Sequence, residues 1–265
     1  VYHSAFAQEG TRSVGVQGQW NGRLGRVANC QGGVYLAYVS RRGAALTNVR
    51  LYLPKSWCSD RRRCRACGVP DEIEFATKLK LSLDMLDEQA ARVPHGWIAG
   101  DDEFGRSTQF RRDLRDREER YLLAVPSNTL VRELSMAASE EVDGSPRKAA
   151  PFVRADRWAA QLPAAAWKRV DVRDGAKGPL IFEVAVTSAL AITERSRTQA
   201  HETLAVIRRR DENGQEIYDY FLSNAPAHTP AAEFARVANC RQRIEECLQR
   251  AKGAAGFAAS DARTW

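Results

Sequence analysis

Apolar residues recur at two different periods along the chain, and the change of period marks the elements. Cys30 to Ser40 alternates, with Val34, Leu36 and Tyr38 on one face and Tyr35, Ala37 and Val39 on the other. Apolar residues on both faces predict a strand covered from two sides. Arg41-Arg42-Gly43 is a turn, and Ala44 to Leu53 is the next strand, ended by Pro54. Upstream, Val1 to Phe6 is β-permissive, and Val14-Gly15-Val16 follows a polar turn. Trp57 to Pro70 reads as a Cys- and Arg-rich loop. Thr77 caps a helix running to about Arg92, with Leu79, Leu83, Leu86, Ala90 and Val93 as its apolar stripe. His95 to Gly100 is a short strand with Asp101-Asp102-Glu103 at its C-terminal end. Ser107 caps a second helix, placing Phe110 and Leu114 inward and Arg111, Arg112, Arg115 and Arg117 outward. Tyr121 to Val125 is a strand closed by Pro126.

The rhythm changes after that. Glu140 to Ala150 is a polar linker. Trp167 to Val172 and Leu180 to Val186 pair across Gly175 and Gly178, and Leu204 to Arg209 and Ile217 to Leu222 flank a hairpin signal, Asn213-Gly214. Thr229-Pro230 then opens a long helix through Lys252, with Phe234, Val237, Ile244, Leu248 and Ala251 as its stripe. Three antiparallel strands followed by α/β crossovers describe an α/β fold, a ribonuclease-H-like mixed sheet flanked by helices. A mainly β insertion precedes the last helix. The expected organisation is residues 1–126 as the first part of the core, 127–225 as the insertion and 226–265 as the helix completing the core. In that topology the first and fourth strands lie side by side and parallel, and ligands bind at their C-terminal ends.

Composition narrows the possibilities. Of 265 residues, 44% are hydrophobic and 28% charged, which suits a packed domain. The longest nearly apolar run, Ile181 to Ile192, carries Glu183, Thr187 and Ser188. It is shorter than the roughly 20 apolar residues a membrane helix needs. No charged-then-apolar leader opens the chain, so the expectation is a cytoplasmic protein with no membrane partner. The net charge of +7 suits a polyanion such as double-stranded DNA, although an Ala- and Arg-rich composition bias raises basicity too. Cys58, Cys64 and Cys67 offer three of the four ligands of a structural zinc site; free cytosolic thiols are the competing reading.

Two clusters carry candidate chemistry. Asp101-Asp102-Glu103 places three carboxylates side by side, a repulsion that a hard divalent cation with oxygen ligands relieves. A solvated acidic turn at a helix start is the alternative. On the last helix Arg241, Glu245 and Lys252 fall in one narrow arc bordering the apolar stripe. Glu245 would join the acids of the fourth strand while Arg and Lys hold phosphates; an ordinary charged helix flank is the alternative.

Several stretches together resemble a known family. They are Ser13-Val14-Gly15-Val16, Leu24 to Gln31, Leu51 to Trp57, Gly68-Val69-Pro70, Trp97 to Asp101, Tyr121 to Pro126 and Ile244 to Gly253. Their order and spacing are similar to the DDE-type insertion-sequence transposases, in the insertion-sequence-701 group of the insertion-sequence-four superfamily. The resemblance places the family's second Asp on Asp101 and its Arg…Glu…Lys signature on Arg241, Glu245 and Lys252. It implies metal-dependent DNA strand cleavage and strand transfer, with two Mg2+ ions held by Asp, Asp and Glu, hence by Asp101 and Glu245 here. It implies phosphate contacts from Arg241 and Lys252, and a bacterial, nucleoid-associated homodimer acting on transposon ends and target DNA. The family's opening acid falls on Tyr2, within Tyr2-His3-Ser4-Ala5-Phe6. A phenol, with a pKa of about 10, is a poor Mg2+ ligand, and imidazole suits softer metals. The expectation is therefore a truncated, catalytically impaired copy, or a non-catalytic DNA-binding relic or domesticated transposase.

Overall fold

The computed structural model describes residues 1–22, 24–134, 150–175, 178–193, 200–211, 213–254 and 264–265. The chain divides into two compact units, Val1–Pro94 with Gln242–Trp265, and His95–Arg241.

The first unit is built on a four-stranded antiparallel sheet. Its strands are β1 (Tyr2–Ala7), β2 (Gln17–Asn21), β3 (Arg26–Val39) and β4 (Ala44–Tyr52), and the other three all pair with β3. β3 begins earlier than its apolar alternation signals, because Arg26 to Asn29 pair with the polar strand β2. Val34 and Tyr35, on opposite faces, are both buried, as a doubly covered strand requires. The region after Pro54 is not an open loop. It forms α1 (Lys55–Cys58) and α2 (Arg61–Ala66), the latter capped by the Asp60 side chain, which accepts from the Arg63 N–H. Trp57 anchors this corner: its ring is fully buried with Val14, Val16, Leu53, Cys64 and Val69, and its Nε1–H donates to the Val16 carbonyl at 2.9 Å. Thr77 caps α3 (Lys78–Gln89), which packs on β3 and β4.

The second unit holds an eight-stranded mixed sheet. The order is β5 (Ile98–Gly100), β6 (Tyr121–Val125), β12 (Glu216–Ser223), β11 (Ala200–Arg210), β10 (Gly178–Ile192), β7 (Leu130–Glu133) and β8 (Val153–Arg154). β9 (Lys168–Gly175) pairs with the other end of β10. Only β5 and β6 run parallel among the described pairings. Period-2 alternation gives the sheet two apolar faces. Leu122, Ala124, Phe182, Ala205, Ile207 and Phe221 pack with Phe234 and Val237 of α7 (Ala231–Ala254). Val125, Val131, Leu204, Val206 and Leu222 pack with Trp158 of α6 (Ala155–Ala160). α4 (Asp102–Gly105) and α5 (Thr108–Asp116) follow β5. The fold is thus α/β, with an eight-stranded mixed sheet flanked by helices, consistent with a ribonuclease-H-like endonuclease fold.

Three details differ from the sequence pattern or fall outside it. β1 and β5, expected as parallel neighbours, belong to different sheets, β1 pairing with β3 and β5 with β6. A strand of only three residues offers little ladder for a second neighbour. Arg111 points inward rather than outward and is fully buried. The polar linker, apart from Ala150, lies outside the described residues.

Candidate active site

Asp101 follows β5 immediately and starts α4. Its Oδ1 accepts the Glu103 N–H at 3.0 Å, so the side chain is a helix N-cap. Two features hold α4 in place. Gly105 lies so close to β6 that a Cβ there would stand 1.8 Å from the Ala124 carbonyl oxygen. Phe104 is fully buried, with its ring centroid 5.4 Å from that of Phe110 on α5. The acidic run is therefore fixed by the sheet rather than free in a turn.

Behind it lies an ion network that the sequence pattern missed. Arg111 Nε donates to Glu202 Oε1 at 2.9 Å, and its Nη1 donates to the Gly105 carbonyl. Arg115 Nη2 lies 2.8 Å from Glu202 Oε2, and the Tyr121 hydroxyl donates to that oxygen at 2.7 Å. The Arg111 and Glu202 side chains are wholly excluded from solvent. Buried charge is tolerated only when paired and fully hydrogen-bonded, and this network meets both conditions. It ties α5 to β11 and β6, and through Gly105 to α4. Burial and the Glu202 charge together push the Tyr121 hydroxyl far above its usual range.

The first half of α7 is attached at the same end of the sheet. Trp97 Nε1 donates to Glu233 Oε1 at 2.8 Å, and the Trp97 and Phe234 rings meet edge to face, 5.9 Å apart. Further along that helix, Arg241 comes within electrostatic reach of Asp101. Burial and the neighbouring Glu103 charge raise the Asp101 carboxyl above the ordinary range. The Glu103 N–H and the Arg241 guanidinium pull it back down. Asp102 is instead paired with Arg106 one turn on.

Glu245 and Lys252 lie on the continuation of α7, in the first unit, and the Lys252 side chain is outside the described ones. The structure brings Asp101 and Arg241 together within the second unit, while Glu245 is placed by different packing. Its neighbours Ile244 and Leu248 form a cluster with Tyr35, against which Tyr2, Phe6 and Leu46 pack. The Tyr2 ring thus faces this helix as part of an apolar cluster. At the next residue of β1, whose side chain points to the opposite face of the sheet, the Lys78 ammonium lies 3.3 Å from His3 Nδ1; an ammonium can only donate, so the imidazole nitrogen accepts. Local sequence gives no sign of this pair, whose members are 75 positions apart.

The cysteines do not assemble a zinc site. Cys64 donates to the Trp57 carbonyl at 3.2 Å, and Cys58 and Cys67 sit at the Leu53 and Arg12 carbonyls. Burial and the nearby Cys64 push the Cys58 thiol up.

A family model described as a DDE superfamily endonuclease matches residues 3–179, well over half of the chain. The match includes Asp101 and stops short of Tyr2 on one side and of Arg241, Glu245 and Lys252 on the other. No curated protein matches the chain. Members of that family generally use divalent metals. Tyr2 packs against an apolar cluster, and the Lys78 ammonium stands beside the imidazole of His3. Among the described residues no three His, Cys, Asp or Glu side chains gather to hold an ion. No helix of the described residues is long and apolar enough to cross a membrane. With its mixed sheet and this match, the chain belongs to the DDE superfamily endonucleases, a group with transposase-like nuclease function.

Proposed function

We propose that the chain is the catalytic domain of an insertion-sequence-701-type DNA transposase whose chemistry is disabled at the first acid position. On this reading residues 1–126 and 226–265 form the core and residues 127–225 an insertion. Asp101 and Glu245 are the surviving members of the acidic set that holds Mg2+ in active relatives, and Arg241 and Lys252 are phosphate contacts. The substrate is double-stranded DNA, transposon ends and target, engaged by a homodimer in the bacterial nucleoid. The observation that carries the reading is the contrast between two positions. Asp101 is fixed at the end of a parallel strand, with its charge opposed by Arg241. Position 2 offers only a ring packed into an apolar cluster. A divalent cation needs oxygen donors carrying charge, and an ordinary phenol is a poor ligand for such an ion.

The alternative within the same fold is a domesticated protein that binds DNA and does no chemistry, and the chain's net charge of +7 supports its DNA binding. Both versions share one test. Nicking of supercoiled plasmid with Mg2+ or Mn2+ is compared between the native chain and Tyr2→Asp. Restoring one ligand corresponds to several kcal/mol of transition-state stabilisation, roughly 100-fold in rate. The native chain is expected at background and the variant above it. Equal rates contradict the proposal. A fast variant beside an inactive native chain supports the transposase origin over a role that never involved cleavage.

A further inference from the structure

Residues 10–59 contain seven Arg or Lys and no Asp or Glu, so this one segment carries the chain's whole net charge of +7. Everywhere else the charges balance. The segment makes three of the four strands of the first sheet, and its most exposed part is the ribbon of β2 and β3. β1 pairs with β3 only from Cys30 onward, and β4 only from Gly32 onward. Among the described residues, Arg26 to Asn29 of β3 have β2 alone as a strand partner. The base of the ribbon is fixed. Gln19 Nε2 donates to the Cys30 carbonyl at 2.9 Å, and Asn29 Nδ2 donates to the Gln8 carbonyl at 3.1 Å. Its connection closes through Gly25, whose φ of +61° lies in the left-handed region that glycine enters without strain.

The ribbon displays what a packed domain normally hides. Trp20 is 61% exposed and pairs directly across from Val27, 66% exposed, and Leu24 in the turn is 41% exposed. Arg26 is exposed beside them. Large apolar side chains left in water on a projecting element mark an interaction surface. The charge identifies the partner. A segment with seven cations and no acid of its own, Arg26 of the ribbon among them and Arg50 already paired with Glu88, disfavours a second copy of itself and attracts a polyanion. The shape agrees, because the major groove of B-DNA, about 12 Å wide, admits a two-stranded β-ribbon.

We infer that the β2–β3 ribbon enters a groove of duplex DNA, with Arg26 on a phosphate or a guanine edge and Trp20, Val27 and Leu24 against thymine methyls and sugars. This rests on the DNA reading above and adds where the duplex is held: on a sheet element of the first unit.

The test is anisotropy of a labelled duplex in chelator, so that no metal chemistry enters. It is read over a salt series for the native chain, Trp20→Ala, Arg26→Ala and the control Arg210→Ala, whose side chain is exposed in the second unit. Trp20→Ala is expected to weaken binding about tenfold, and Arg26→Ala to lower the salt slope by about one. Arg210→Ala is expected to match the native chain. Both ribbon substitutions are at exposed positions, and circular dichroism checks that each variant is folded. Tight native binding unchanged in both ribbon variants overturns the ribbon assignment and leaves the DNA reading standing. Native binding absent at low salt overturns both. A dimer in sedimentation that Trp20→Ala dissociates, with DNA affinity unchanged, gives the surface to a second copy and also overturns the assignment.

Discussion

In the unit formed by residues 95–241, cations are met by acids inside the fold. Arg111 and Arg115 converge on buried Glu202, Arg208 meets Glu183 at 2.9 Å, and Arg209 faces Asp219. In the other unit, fifty consecutive residues carry seven cations and no acid. Its Arg50–Glu88 pair, at 2.6 Å, borrows its acid from α3 and stays partly exposed, at 39% and 49% of the two side chains. The difference separates two uses of the same residue type. Charge neutralised within the fold fixes the sheet and the strand end that carries Asp101. Charge left without acids is available to a partner. Net charge by itself shows neither; its distribution over the two sheets does.

The comparison breaks first at Glu202. Replacing it with Ala leaves the wholly buried Arg111 guanidinium, and the partly exposed Arg115 beside it, without their carboxylate, a loss of about 3–5 kcal/mol. For a chain of this size that is roughly 10 °C in Tm. A thermal melt showing a shift under a degree would mean the network contributes nothing to the sheet. Gly105→Ala comes next. The added Cβ falls 1.8 Å from a backbone oxygen that cannot turn aside. The expected loss is about 1–3 kcal/mol or more by urea denaturation, with α4 and the Asp101 cap displaced.

Asp101→Asn works in the opposite direction. The folded carboxyl is raised by burial and by the Glu103 charge, so the fold favours its protonated form. The stability from that form is present at low pH and is lost as pH rises through the raised value. Asn keeps the capping oxygen and carries no charge. The variant is therefore expected to be more stable than the native chain at pH 7, with the margin vanishing below about pH 4, where the unfolded Asp is also protonated. Equal stability at both pH values would mean that Asp101 is under no electrostatic load. The smallest effect is expected at the exposed pair: Glu88→Ala should cost under about 1 kcal/mol and fade with added salt. A loss as large as that of Glu202→Ala would erase the distinction between the two units.

Much of the fold was legible because its signals are local. Alternation located β3, prolines closed β4 and β6, and capping side chains located the starts of α3 at Thr77 and α5 at Ser107. Asn213-Gly214 announced the β11–β12 turn, where Gly214 has a φ of +77°. What failed depends on distant partners. Arg111 reads as outward from helix periodicity alone, since its carboxylate is 91 positions away on β11. The division into two sheets was not legible either, because the three residues of β5 carry no mark of which neighbour they take. Asp101 stood out through its acidic run and its position after a strand, whereas its electrostatic partner Arg241 needed the helix packing to appear. The acid-free segment was written in the sequence throughout. It gained meaning only when its residues proved to share one sheet with an exposed Trp20 and Val27.

The central claim is that the acidic set is broken at position 2 while Asp101 stays in place. The most direct measurement is Mn2+ binding by electron paramagnetic resonance, with a duplex present, for the native chain, Tyr2→Asp, and Tyr2→Asp combined with Asp101→Asn. The account predicts weak binding by the native chain, tighter binding by Tyr2→Asp, and loss of that gain in the double variant. Native binding as tight as that of Tyr2→Asp would contradict it.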